Sequence, residues 1–354
     1  MNALDLDDPR ARERLDVQGM LRELANFPEQ CRRALELGAK WTPSLPRPGF
    51  IRILVLGMGG SGIVGDLLRV LLSVPVHVHR GYAPPAFLLD EKTLVIAISY
   101  SGNTEETLAG VEAALRQGLR PLCITSGGAL GELAARHGLP LLEIPKGLQP
   151  RAALGYLLLP LLRLFARWGP FPEAEFEGLV EALSRVAQNC APEVPEAENE
   201  AKRLARWLHG KLPLIYGSEG ALEVAAFRWK TQINENAKQH AFWNAIPELC
   251  HNEIVGYTLD HPCPLGVVLL SGTGEGERNR LRREILAELL QERAVPFIVV
   301  SPPASGGRLR ELLGLIYLGD WVSVYLALLN GVDPTPVAAI EEFKRRMRSI
   351  QRRS

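Results

Sequence analysis

Two kinds of apolar pattern alternate along the chain. From Pro9 to Trp41 apolar residues recur at helical spacing (Leu15, Met20, Leu21, Leu24, Phe27, Leu35, Leu37) and stop at the breakers between Pro43 and Pro48, which predicts an N-terminal helical arm over residues 1–48. Ile51-Arg52-Ile53-Leu54-Val55-Leu56 is instead a short apolar run without alternation, the pattern of a strand covered on both faces. It passes through Gly57-Met58-Gly59-Gly60-Ser61-Gly62 into an apolar helix reaching Leu72. Further strands are predicted at 74–78, 93–99, 121–125 and 140–144, alternating with helical segments such as 104–117, the order expected of right-handed βαβ units.

After a charged helical stretch, expected as a linker over 171–210, the pattern starts again. A strand at 212–216 with Gly217-Ser218-Glu219-Gly220, and a strand at 265–270 with Ser271-Gly272-Thr273-Gly274-Glu275, echo the first half. The fold expected is α/β: two similar parallel-sheet, three-layer halves of flavodoxin-like or Rossmann-like type, at 49–170 and 211–332, with helical extensions at both ends. The last of these, 333–354, is an amphipathic helix whose basic end (Lys344, Arg345, Arg346, Arg348, Arg352, Arg353) reads as a solvated face favoured by the helix dipole.

Composition narrows the partners. Forty basic residues balance forty acidic ones in 354, which argues against a general affinity for nucleic acid or an anionic membrane and leaves a small polar substrate. The five cysteines form no CxxC pair, no His/Cys/Asp cluster has metal-ligand spacing, and the acidic N-terminus does not resemble a signal peptide, so a reduced cytoplasm is expected. The stretch from Leu315 to Val332 is membrane-like but carries Asp320, and reads as a buried helix.

Three motifs carry candidate chemistry. Gly57, Gly59 and Gly62 satisfy GxGxxG, but the following strand ends in His77-Val78-His79-Arg80, without the acidic residue that would hold a ribose. The alternative is an anion pocket of backbone amides and Ser61 at a helix N-terminus. Ser99-Tyr100-Ser101-Gly102-Asn103-Thr104-Glu105-Glu106-Thr107 brings three hydroxyls to the carboxyl end of a buried strand, a composition that suits a phosphate monoester; simple helix capping would need one hydroxyl. Asn234-Glu235-Asn236-Ala237-Lys238 and Pro247-Glu248-Leu249-Cys250-His251-Asn252-Glu253 offer a general base and a general acid, although Glu235 with Lys238 also reads as a surface helix pair and His251 as a helix-entry residue.

These blocks, with Pro150-Arg151-Ala152-Ala153 and the terminal Gly331-Val332-Asp333-Pro334 to Lys344, stand in an order that resembles the bifunctional phosphoglucose/phosphomannose isomerase family. The resemblance implies two sugar isomerase domains and cofactor-free conversion of glucose 6-phosphate or mannose 6-phosphate to fructose 6-phosphate. It implies that Gly59, Gly60, Ser61, Ser99, Ser101 and Thr104 hold the phosphate, that Glu235 is the base and His251 opens the ring, that Arg151 faces the enediolate, and that Lys344 enters from the last helix. It further implies a homodimer with composite sites, His251 acting from the neighbouring subunit. The large hydrophobes of 315–329 and 241–246 are expected at such an interface. A non-catalytic sugar-phosphate sensor is the alternative from another class, and would leave the Glu235 and His251 clusters idle.

Overall fold

The computed structural model describes residues 4–43, 49–259 and 262–351. Three helices, α1 (Pro9–Leu15), α2 (Met20–Ala25) and α3 (Phe27–Lys40), precede the first α/β half. That half comprises β1 (Arg52–Leu56), α4 (Gly59–Leu71), β2 (Val76–His79), β3 (Thr93–Ile98), α5 (Glu105–Arg116), β4 (Leu122–Thr125), α6 (Gly128–Arg136), β5 (Leu141–Glu143) and α7 (Leu154–Trp168). Then come α8 (Leu179–Cys190) and α9 (Glu200–Leu208). The second half follows as β6 (Leu212–Ser218), α10 (Ala221–Asn236), β7 (Phe242–Ile246), β8 (Leu265–Leu270), α11 (Glu277–Glu292), β9 (Phe297–Val300) and α12 (Arg308–Leu329), closed by α13 (Ala338–Gln351).

All strand pairs are parallel. The first sheet runs β2-β1-β3-β4-β5 and the second β7-β6-β8-β9. The two orders superimpose with β6 in the place of β1, β7 of β2, β8 of β3 and β9 of β4, so the sequence echo is a repeat of topology. In both sheets the chain reverses its direction of winding between the first and third strands of the repeat, where the crevice at the carboxyl ends of the strands receives ligands in open α/β sheets.

Buried apolar residues from α3, α7, α8, α9, α10 and α12 join those of both sheets in one continuous core. The segment expected as a linker therefore folds as helices α8 and α9, whose apolar faces (Leu179, Leu183 and Val186; Leu204 and Leu208) enter that core. Helix α12 is apolar on every side, and a helix of that kind must be surrounded. It is long and apolar enough to cross a membrane, yet the whole of its most apolar window is covered by protein. This corrects the expectation that 315–329 forms an interface: Leu315, Ile316, Leu326 and Leu328 are fully buried within the chain. The 241–246 segment is also otherwise employed, since 242–246 is the edge strand β7, in which Phe242 stays exposed and Ile246 is buried.

Candidate active site

The crevice between β1 and β3 is built by the turns that follow them. Ser61 is buried, and its Oγ accepts the Tyr100 N–H at 3.2 Å, tying the two turns together. In the second turn Ser99 Oγ and Thr104 Oγ1 are 3.0 Å apart, and the Gly102 N–H donates to Ser99 Oγ at 3.1 Å. Gly102 has φ +70°, and a Cβ there would stand 1.8 Å from the Gly127 carbonyl oxygen, so only glycine fits. Met58 and Thr104 occupy the N-cap positions of α4 and α5, and neither makes a side-chain cap bond. The Thr104 hydroxyl faces Ser99 instead of its own helix, so Thr104 does not cap α5 through its side chain. Two helix N-termini with uncapped amides thus point at one crevice, an arrangement that favours an anion. Ser101, exposed at its lip, accepts the Asn103 N–H at 3.3 Å.

The turn at Pro150–Ala152 closes the crevice from the side. A Cβ on Gly60 would lie 3.1 Å from the Arg151 Cα, so the start of α4 packs backbone to backbone against this turn. Arg151 is buried, and burial pulls its guanidinium below the ordinary arginine value while Glu235 pushes it back up. Its Nε donates to Asn236 Oδ1 at 2.6 Å, and its Nη2 donates to the carbonyl oxygens of Pro334 at 2.9 Å and Thr335 at 2.7 Å. Nη1 has only longer contacts, 3.5 Å to Gln149 Oε1 and 3.6 Å to Glu235 Oε2. Glu235, in the last turn of α10, is 27% exposed against 2% for Arg151, so the carboxylate opens outward from a buried cation. The Lys238 ammonium bonds the carbonyls of Glu235 (2.6 Å), Asn236 (3.2 Å) and Pro334 (2.8 Å), and not the Glu235 carboxylate as a surface helix pair would.

The other two expected catalytic residues stand apart. His251 ends the short 3-10 turn Glu248–His251 beyond the carboxyl end of β7 and is exposed. Glu235 lies before the start of β7, whose five residues span roughly 16 Å. The loop bearing His251 is fixed on the second sheet by Glu253, which accepts from Asn244 Nδ2 at 2.5 Å and from the Tyr216 hydroxyl. Lys344 is exposed on α13. In the second half the crevice between β6 and β8, about 470 Å³, is lined by Glu219, Glu275 and Glu311, and Glu275 takes up Ser218 Oγ at 2.5 Å and Arg283 Nε at 3.0 Å. Three carboxylates against the single guanidinium of Arg308 make the repeated crevice a poor phosphate site.

Comparison with known proteins gives the family of the chain. The family model for the bacterial phospho-glucose isomerase C-terminal SIS domain matches residues 197–347, and that for the SIS domain matches residues 51–139. The bifunctional phosphoglucose/phosphomannose isomerase of Caldicellulosiruptor bescii is 43% identical over 341 residues, covering 94% of this chain and 100% of the relative. The chain belongs to the bifunctional phosphoglucose/phosphomannose isomerase family. The Aquifex aeolicus member is 36% identical over 302 residues, 84% of this chain and 90% of its own. A hypothetical protein of Thermus thermophilus shares the fold, with a TM-score of 0.74 at 20% identity over 97% of this chain and 94% of that one. Sequence reasoning singled out the motif holding Asn236 but not the bond of Asn236 to Arg151, and it missed Arg228, which donates to the Arg151 carbonyl oxygen and pairs with Asp320; Asp320, a carboxylate inside an apolar run, was the signal for that pair.

Proposed function

We propose that this member of the family interconverts glucose 6-phosphate and mannose 6-phosphate with fructose 6-phosphate through a cis-enediolate, using its own side chains alone. The observation that carries the reading is the outward-facing Glu235 carboxylate beside the buried Arg151 guanidinium, at the flank of an anion-binding crevice. Aldose–ketose isomerisation moves one proton between C1 and C2, and a single carboxylate can remove and return it. Charge then develops on the two oxygens, and a guanidinium already held in place stabilises it without reorganisation. Ser61, Ser99, Ser101 and Thr104, with the amides of Gly59 and Gly60, hold the phosphate and so position the reacting carbons by remote binding energy. Lys344, exposed on α13, is assigned to the site on the family resemblance alone.

Ring opening needs a proton moved between the ring oxygen and the C1 hydroxyl, a task suited to histidine. Because β7 separates His251 from Glu235 of its own chain, we assign His251 to the site of a second copy in a two-fold homodimer. A cytoplasmic setting belongs to the same proposal, supported by cysteines that stand unpaired among the described residues. The test is a coupled assay for fructose 6-phosphate from each substrate: turnover of both supports the reading, whereas sugar-phosphate binding without turnover would return it to the sensor.

A further inference from the structure

Arg228, Gln232 and Asn236 follow one another at four-residue spacing along α10, which puts them on one face, and all three are buried. They meet Asp320 and Ser323, buried on α12. Arg228 pairs with Asp320 at 3.0 Å and also donates Nη2 to the Arg151 carbonyl oxygen at 2.6 Å, fixing the backbone of that residue. Asn236 fixes its side chain. Its Oδ1 accepts from Arg151 Nε at 2.6 Å, and its Nδ2 donates to Ser323 Oγ at 2.9 Å, while Ser323 Oγ donates to the Asp320 carbonyl oxygen at 2.7 Å. A hydroxyl has one proton to give. With that proton committed to Asp320, Ser323 can only accept from Asn236, which turns the amide so that its oxygen faces Arg151.

A guanidinium has five N–H donors. The Nε donor and the Nη2 pair go to three neutral oxygens, of Asn236, Pro334 and Thr335, and the Nη1 pair, beside Glu235, keeps only the two longer contacts. Neutral acceptors orient the cation without cancelling its charge, which remains for whatever oxygen arrives at Nη1.

We propose that Asn236 is a positioning residue for the isomerisation, aiming Nη1 of Arg151 at the enediolate oxygens, and that Ser323 sets the orientation of the Asn236 amide. This rests on the reading of Arg151 as the group that faces the enediolate. The test compares, by isothermal titration on the full chain, a five-carbon sugar-acid 5-phosphate, whose carboxylate mimics the enediolate, with a six-carbon sugar-alcohol 6-phosphate, which has the phosphate and hydroxyls only. Asn236→Leu should weaken the acid about tenfold while leaving the alcohol within about twofold, as expected when a charge-stabilising contact is misaimed and the phosphate cradle is untouched. Ser323→Ala should shift the same ratio in the same direction by less, and carries the test if Asn236→Leu does not fold. Arg151→Gln is the reference and should lose at least as much preference for the acid. If Arg151→Gln loses that preference while the other two variants keep it, the positioning role is overturned and the reading of Arg151 stands; if Arg151→Gln keeps it as well, that reading falls and the proposal with it.

Discussion

Around Arg151 and Glu235, neighbouring residues do different work according to burial. Arg151 is enclosed, and three neutral oxygens hold it; Glu235, 3.6 Å away, is left partly open to solvent, as the base proposed for it must be. Lys238 shows the same environment from its edge. Burial of its ammonium, and next the Arg151 charge, lower it from 10.5 to about 8, with Glu235 and Asp333 pulling the other way. Since the folded value lies below the unfolded one, the unfolded chain holds the extra proton between about pH 8 and 10.5, and this lysine makes the protein more stable as pH rises through that window. The Lys238 ε-carbon followed by NMR should titrate near 8; a midpoint at the ordinary lysine value would mean that burial and the Arg151 charge do not act on this ammonium in solution. For the hydroxyls, replacing Ser101 and Thr104 together by alanine should raise KM for sugar phosphates, because donors to a charged acceptor contribute ~1.5–3 kcal/mol each. Unchanged affinity for a phosphorylated inhibitor would place the phosphate elsewhere.

At the level of elements, the two turns after β1 and β3 are the parts that sequence disclosed most fully. Their glycines and hydroxyls sit next to buried, non-alternating strands, and local pattern is enough to say that strand, turn and helix follow. Gly102 tests how tightly the turn is built: with φ +70° and a Cβ contact of 1.8 Å to the Gly127 carbonyl, Gly102→Ala should lower Tm and raise KM together. A variant with wild-type KM would show that the turn has room to adjust. Strand β7 was not legible, because an edge strand half open to solvent, reading Phe-Trp-Asn-Ala-Ile, has neither strict alternation nor a continuous apolar run. The partners of Arg151 were hidden for another reason. Asn236 stood in a motif the sequence exposed, but Arg228, and Asp320 and Ser323 that hold Arg228 and Asn236, are polar residues on helices that also carry large apolar faces, and only the packing of α10 on α12 shows that they meet.

Over the whole molecule, the duplicated topology carries an asymmetric division of labour. The first sheet presents hydroxyls and free helix amides at its crevice, the second presents carboxylates at the equivalent place, and the second half contributes Glu235 from the end of α10 instead. His251 belongs to the second half too but stands at the far end of β7 from its own chain's Glu235, the observation that supports the proposal of a site shared between copies. Mixing inactive Glu235→Gln with inactive His251→Ala under subunit exchange should therefore restore activity. Equal mixing makes about half the dimers mixed, each with one intact site, so recovery should approach roughly a quarter of wild type if the two sites act independently. Activity that stays at background after exchange is verified by mass spectrometry would put His251 in its own chain's site or outside catalysis.

In the proposed reaction Glu235 moves the proton. Conversion of glucose 6-phosphate in deuterium oxide, followed by proton NMR, reads that step directly, because a base that exchanges with solvent leaves deuterium at C1 of part of the fructose 6-phosphate. The wild-type chain should form deuterium-bearing product, and Glu235→Gln, which keeps the shape but removes the proton acceptor, should form it at least ~100-fold more slowly while still binding the sugar phosphate. Product formed by Glu235→Gln at more than about a tenth of the wild-type rate, with the same deuterium content, would contradict the assignment.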